Sequence, residues 1–453
     1  MQKNTINRID KLFAEWDRDD SPGCALGIIT NGRFVYRNSY GMADLEHSVP
    51  ISDATVFRIA SLSKQFTAMS IALLAEQGRI SLDDELHTSV PEIPRYAAPV
   101  LIQHLIWHTS GIRDYLALMR IAGMHNDDLR TDSDILELLA RQKGLNFLPG
   151  DEYLYSNSGY FLLSAVVKRA GGTSLRKFAE EYIFRPLGMD HSHFHDDHAM
   201  AVMNSACGYS PGENGGFKKN MISSDIVGDG GMFTTVDDLL VWDRNFYTNT
   251  LGKRSPELID RFLKPGTLNN GTVLDYASGL FVREYRGSTI VRHGGRFGGF
   301  RSEMLRFPEQ KCTVICCANL STIDTEKLAQ KVADICLFKT QPEEDAGEAA
   351  HTGPEPSGAD TDPCSAECPE KYAGQYYSDE VQAVCDISLD CGELRARFGT
   401  SEPAPLVPAG CGSFVSGTRK VRFMRDEENS VHMLTVSEER ARNIPFLKHG
   451  SEI

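Results

Sequence analysis

The sequence predicts an α+β fold, and three features predict it. Strand-like segments lie on either side of a long helical middle. The first two are joined by Asn31-Gly32, a tight-turn dipeptide between apolar runs. A change of composition near residue 341 then separates this region from a series of short alternating segments.

Each element follows from a local pattern. Residues 5–16 predict a helix with Ile6, Ile9, Leu12 and Phe13 on one face. Residues 24–29 and 33–40 read as the two strands of a hairpin. Residues 61–250 are mostly helical, punctuated by Pro149-Gly150, Gly171-Gly172 and Pro186. Strands return at 276–281, 289–292, 301–307 and 312–318, and a helix follows from about 325 to 337. This arrangement predicts one antiparallel sheet made from the N- and C-terminal pieces of a domain at 1–340. Residues 341–369, rich in Glu, Asp, Gly, Pro, Ala and Ser, offer little to bury and read as a flexible acidic linker. In 370–453 the runs 374–377, 383–389, 393–398, 413–415, 420–424 and 432–436 predict a small β-barrel or curled sheet.

Composition narrows the function. The 453 residues are 41% hydrophobic, as expected of a soluble globular protein, and carry a formal charge of −15. That charge argues against nucleic acid or an anionic membrane as a generic partner. The opening MQKNTINRIDKLFAEWDRDD is polar and lacks an apolar h-region. No apolar run reaches membrane-spanning length. The eleven cysteines form no disulfide framework. Free thiols fit the cytoplasm, which is the expected location. Cys364 and Cys368 fall in the polar linker, where a disulfide is a minor alternative.

The chemistry begins at Ser61-Leu62-Ser63-Lys64. A serine hydroxyl needs a base beside it to become a nucleophile. A lysine three residues on shares its helix face. Phe66, Met69, Leu73 and Leu74 predict that helix, in a run free of Gly and Pro until Gly78. Ser61 would lie at its N-terminus, where free N–H groups favour an oxyanion. The spacing alone is weak, since about one Ser-x-x-Lys is expected by chance in a chain this long. A second one, Ser174 to Lys177, reads as a plain helix start. What distinguishes Ser61 is its company further along the chain: Tyr155-Ser156-Asn157, then His293-Gly294-Gly295 beside a strand.

Phe57-Arg58-Ile59-Ala60-Ser61-Leu62-Ser63-Lys64-Gln65-Phe66-Thr67 resembles the nucleophile helix of the serine β-lactamase and penicillin-binding-protein superfamily. The likeness is greatest to its class C-like branch of D-aminopeptidases, family VIII-type esterases and DD-peptidases. Four further segments resemble that branch, in order. They are Leu105 to Ile112, Pro149-Gly150 through Tyr160, Gly228-Asp229-Gly230-Gly231-Met232 with Thr234 to Leu239, and His293-Gly294-Gly295 through Phe300. The resemblance covers about residues 5–340. It implies a β-lactamase/transpeptidase-like α/β sandwich with an all-helical lobe, the site lying between the two, and a lipocalin-like barrel for the C-terminal segments.

It also implies roles. Ser61 is the expected nucleophile, and Lys64 its base once burial or a second cation lowers its pKa. Tyr155 is the expected second base, its anion stabilised beside Lys64. Asn157 would bond Lys64 and a substrate amide. The alternative for Tyr155 and Asn157 is an aromatic anchor and a helix cap. The N–H groups of Ser61 and Arg296 would hold the oxyanion. Gly294 and Gly295 would let backbone approach the substrate. His293 stands where many superfamily members carry the lysine of Lys-Thr-Gly. A mostly neutral histidine there lowers the expectation of β-lactam recognition. Arg296 and Arg301 read chiefly as solvated surface charges. His108 reads as part of a structural turn. His191, His193, His195 and His198 could suggest Zn or Ni, yet no Cys or Glu completes a ligand set, and a solvated cluster is the preferred reading. No metal or cofactor is required.

The function expected is a serine hydrolase with an acyl-enzyme on Ser61, cleaving a small amide or peptide in the D-aminopeptidase manner. Alternatives are a carboxylesterase, a weak β-lactamase, a non-catalytic penicillin-binding-like sensor, or a metal hydrolase using the histidines. The partner expected is a small molecule or short peptide, with no nucleic acid and no membrane. The C-terminal domain is expected either to cap the cleft or to act as a stability or homodimerisation module.

Overall fold

The computed structural model describes residues 1–124, 131–338, 369–410 and 412–449. The predicted linker, apart from Pro369, lies outside the described residues, and so do Cys364 and Cys368.

A six-stranded antiparallel sheet runs in the order Phe281–Tyr285, Ser288–Phe297, Phe300–Phe307, Cys312–Ala318, Cys24–Thr30, Arg33–Tyr40. The N-terminal hairpin therefore docks on the last strand of the later group, with Leu26 opposite Cys316 and Cys24 opposite Ala318. Asn31 and Gly32 both have positive φ, 51° and 70°, as a turn with the right-handed strand twist requires. Successive side chains of a strand point to opposite faces. Leu26 and Ile28 accordingly join Ile9, Phe13, Leu328 and Val332 from the helices Lys3–Phe13 and Thr325–Ala333. Ala25 and Ile29 turn the other way, into a core with Phe66, Leu74 and Trp242 of the helical lobe. Both faces are covered, so the strand is buried and free of polar side chains from Cys24 to Ile29 rather than alternating.

Residues 276–281 do not form the predicted strand. The run Tyr276 to Gly279 folds into a tight turn, with Ala277 N donating to Leu280 O at 2.7 Å and Gly279 at φ +73°. The strand begins only at Phe281. Gly279 packs directly on the backbone of Lys64 and Gln65, where a Cβ would meet Gln65 N at 2.5 Å. Close packing on the start of the helix Lys64–Glu76 overrides the apolar strand pattern.

Residues 374–448 form a nine-stranded antiparallel sheet, a nearly closed barrel, with neighbouring strands Gly374–Ser378 and Ala441–Lys448 paired through Tyr377 and Leu447. Its core residues Tyr376, Ile387, Val421 and Phe446 are continuous with the core of the helical lobe. The strand Ala441–Lys448 has no clear sequence signal, because Pro445 and Asn443 interrupt its apolar alternation. Among the described residues, no helix is long and apolar enough to cross a membrane.

Candidate active site

Ser61 sits in a single 3-10 turn, Ala60–Ser63, that leads into the helix Lys64–Glu76. Ala60 carries a positive φ of 49°, a conformation that costs an alanine roughly 1–2 kcal/mol. Strain of this kind persists where the surroundings hold it. Here Ile59 N donates to Met232 O at 3.0 Å, and Ser63 Oγ donates to Ala60 O and accepts from Met232 N.

Lys64 is fully buried beneath the serine. Its Nζ donates to Ser61 Oγ at 3.1 Å, to Asn157 Oδ1 at 3.0 Å and to the Asp229 carbonyl at 2.6 Å. Burial pushes its pKa down to about 8; the charges of Asp229 and Asp114 oppose that shift and Arg440 adds to it. Asn157 opens the helix Asn157–Gly171, capped by Ser156, whose side chain accepts from Gly159 N. The cap is therefore Ser156, which leaves the Asn157 amide free to meet Lys64. Asn157 N in turn donates to Asp114 Oδ2 at 2.6 Å.

Tyr155 packs among the rings of His108, Tyr276 and His293, at centroid distances of 4.2, 6.3 and 6.2 Å. The Lys64 ammonium lies 4.8 Å from the centre of its ring. One expectation is corrected here: the Tyr155 phenol is pushed up, not down. Burial in this aromatic cage costs the phenolate more than the hydrogen bond from Ser61 and the charge of Arg440 return. Tyr155 is a neutral phenol at physiological pH.

His293 is buried, with Nδ1 2.6 Å from Gly294 O and Nε2 3.2 Å from Tyr276 Oη. Burial and then the nearby Lys64 charge lower its pKa to about 3, so the ring is neutral. It lies on the strand Ser288–Phe297 with Gly294, Gly295 and Arg296. Gly295 crosses close over the serine turn: a Cβ there would meet Ile59 O at 2.1 Å. Ser302 Oγ, on the neighbouring strand, ties the same carbonyl at 2.7 Å.

Ser61, Tyr155, Asn157, His293, Gly294, Gly295 and Arg296 all line one cleft of about 1700 Å³. Other sequence-singled residues lie elsewhere. Ser174 caps the helix Leu175–Ala179. His108 has positive φ (58°), accepts from Ser156 N through Nδ1 and supports Tyr155 from behind. The histidine run is dispersed. His191 lies near Asp238, His198 pairs with Asp225, and only His193 and His195 meet, at 3.4 Å.

The structure adds residues that the sequence reading did not place in the site. Asp229 accepts from Tyr115 Oη at 2.9 Å, and burial raises its carboxyl pKa. The barrel contributes Arg440 and Arg442 to the cleft wall. Asp229 does fall within the Gly228-to-Met232 segment. Arg440 carries no local signal, since it stands far along the chain in a two-residue hairpin turn.

The cleft is rich in arginine, and its pairs divide clearly. Arg283 is matched by Asp275, Arg442 by Glu152, and Arg292 by Glu303 and Glu326. Among the described residues, no carboxylate lies within ion-pair distance of Arg296 or Arg301. Arg301 instead donates to the carbonyls of Gly298 and Phe300.

A family model described as Beta-lactamase matches residues 9–336. The penicillin-binding protein 4* of Bacillus subtilis (strain 168) is 30% identical over 355 residues, covering 75% of this chain and 77% of that protein. The D-aminopeptidase of Brucella anthropi is 27% identical over 440 residues, covering 95% and 79%. The octameric penicillin-binding protein homologue from Pyrococcus abyssi superimposes with a TM-score of 0.65 at 21% identity, over 98% of this chain and all of that one, a likeness of fold. Through the model that matches most of its length, this chain belongs to the beta-lactamase family of serine hydrolases.

Proposed function

We propose that the chain cleaves small amides or short peptides carrying a D-residue, through an acyl-enzyme on Ser61. The observation that carries the proposal is the buried Lys64, 3.1 Å from Ser61 Oγ, with a pKa brought to about 8. A lysine so placed is neutral often enough near neutral pH to act as a base. Neutral Lys64 takes the Ser61 proton as Oγ bonds to the carbonyl carbon. The carbonyl electrons move onto oxygen, held by the N–H groups of Ser61 and Arg296. As the C–N bond breaks, Tyr155 gives its proton to the leaving nitrogen and takes one from the Lys64 ammonium. Asn157 and His293 position the amine and the substrate. Water then releases the acid by the same route in reverse.

The D-aminopeptidase names of the relatives support the substrate class. The neutral His293 supplies no fixed cation of the Lys-Thr-Gly kind, which weighs against β-lactam recognition. The division into a hydrolase domain at 1–340 and a β-domain at 370–453 belongs to the same proposal. So does a cytoplasmic location, supported by buried free thiols such as Cys24, Cys316 and Cys317.

The test is a panel of D- and L-aminoacyl p-nitroanilides, p-nitrophenyl esters and nitrocefin, run on the native chain and on Ser61→Ala. The expected result is turnover of D-aminoacyl p-nitroanilides, lost by at least about 10³-fold in the variant. Fast ester turnover with every amide inert would replace the proposal with an esterase reading.

A further inference from the structure

The hairpin turn Glu439-Arg440, between the barrel strands Val431–Glu438 and Ala441–Lys448, enters the cleft of the other lobe. It is held there by main-chain bonds. The Arg440 carbonyl accepts from Asp114 N at 3.0 Å and from Asn146 Nδ2 at 3.0 Å, while Arg442 N donates to Asn146 Oδ1 at 2.8 Å. Flanking ion pairs reinforce this: Arg120 to Glu438 at 2.9 Å, and the buried Arg113 to Glu380. The turn is thus fixed by groups other than the Arg440 side chain.

That side chain lies over the Tyr155 ring, 5.1 Å from its centre. It is about a third exposed, and among the described residues its carboxylate neighbour is Glu439, at 3.6 Å and itself mostly in solvent. A guanidinium whose carboxylate neighbour is itself solvated and 3.6 Å away is only weakly neutralised. The neighbouring arginines of the same wall, Arg442 and Arg283, each have a close carboxylate. Of Arg283, Arg440 and Arg442, Arg440 has the loosest carboxylate partner.

Its position relative to the chemistry is fixed by Tyr155. A group that protonates the departing nitrogen must stand on the leaving-group side of the scissile bond. Arg440, 5.1 Å from the centre of that ring, lies next to that group. We infer that Arg440 of the barrel binds the carboxylate of the leaving amino acid, so that the site takes short peptides whose free C-terminus lies just past the scissile bond. This rests on the D-aminopeptidase-like reading and sharpens it: the preferred substrate is a dipeptide, not an amino-acid amide. A planar guanidinium suits such a carboxylate, offering paired donors.

The experiment compares D-alanylglycine with D-alanylglycinamide, which differ in the terminal charge. In the native chain, kcat/KM for the acid is expected to exceed that for the amide by about tenfold or more. In Arg440→Gln the ratio falls toward one, and in Arg440→Lys part of it returns. Any effect of Arg440 on Lys64 acts on both substrates and cancels in the ratio. A ratio near one in the native chain, or one unchanged in Arg440→Gln, overturns the inference. Binding of the two compounds to Ser61→Ala and to Ser61→Ala/Arg440→Gln, measured by calorimetry, tests it without turnover. Tighter binding of the acid that depends on Arg440 supports the inference even if the native chain hydrolyses neither compound, an outcome that overturns the hydrolase substrate reading alone. Equal binding of acid and amide overturns the Arg440 assignment alone.

Discussion

Lys64 is closed off from solvent, with oxygen acceptors on three sides and Asp229 and Asp114 near enough to favour its charge. Burial outweighs those acids, and the pKa settles at about 8. The sign for catalysis follows. The base form is the neutral amine, so kcat/KM should rise with pH through a single limb near 8 and level off above it. In a pH profile with a D-aminoacyl p-nitroanilide, activity below the limb should fall about tenfold per unit. A flat profile from pH 6 to 9 would exclude Lys64 as the base. At this scale the sequence foretold that Ser61 and Lys64 meet, since residues three apart on a helical turn are neighbours, while the choice of Ser61 over Ser174 came from the motifs further along the chain. It misjudged the state of Tyr155, because the cage of His108, Tyr276 and His293 that raises the phenol comes from distant segments.

The serine turn and the strand Ser288–Phe297 are two elements that must touch for the site to exist. Their contact depends on Gly295, where any side chain would strike Ile59 O and Ser302 Oγ. Gly295→Ala should push the strand away from Ser61 and move the Arg296 N–H off the oxyanion. A displacement near 1 Å can cost about 10²-fold. The expected result is therefore a fall of roughly that size in kcat with the fold retained by circular dichroism. Unchanged kcat in a folded variant would contradict this placement of the oxyanion hole. Most elements were readable from period and punctuation: the Asn31-Gly32 hairpin, the helix after Ser61, the strand Cys312–Ala318. The exceptions have physical reasons. The turn at Tyr276 to Gly279 is set by packing on the Lys64 helix, and Ala441–Lys448 is completed by ladder partners that its own composition does not announce.

Across the whole molecule, the barrel is not an appendage on a tether. Its core continues into the helical lobe, and Arg113, Arg120, Asn146 and Asp114 bind it beside the cleft. Asp114 links the two directly: its N–H holds the Arg440 carbonyl while its carboxylate takes Asn157 N. A chain of net charge −15 thus gathers Arg296, Arg301 and Arg440 in one cleft with Ser61. No sequence period foretells this, since it depends on a hairpin tip meeting a lobe hundreds of residues earlier. All of it presupposes that the hydroxyl at Ser61 is the group that becomes acylated. Intact-protein mass spectrometry after exposure of the full chain to a fluorophosphonate tests that most directly. A single stoichiometric adduct on the native protein, absent from folded Ser61→Ala, is the predicted result. An adduct that survives in Ser61→Ala would contradict it.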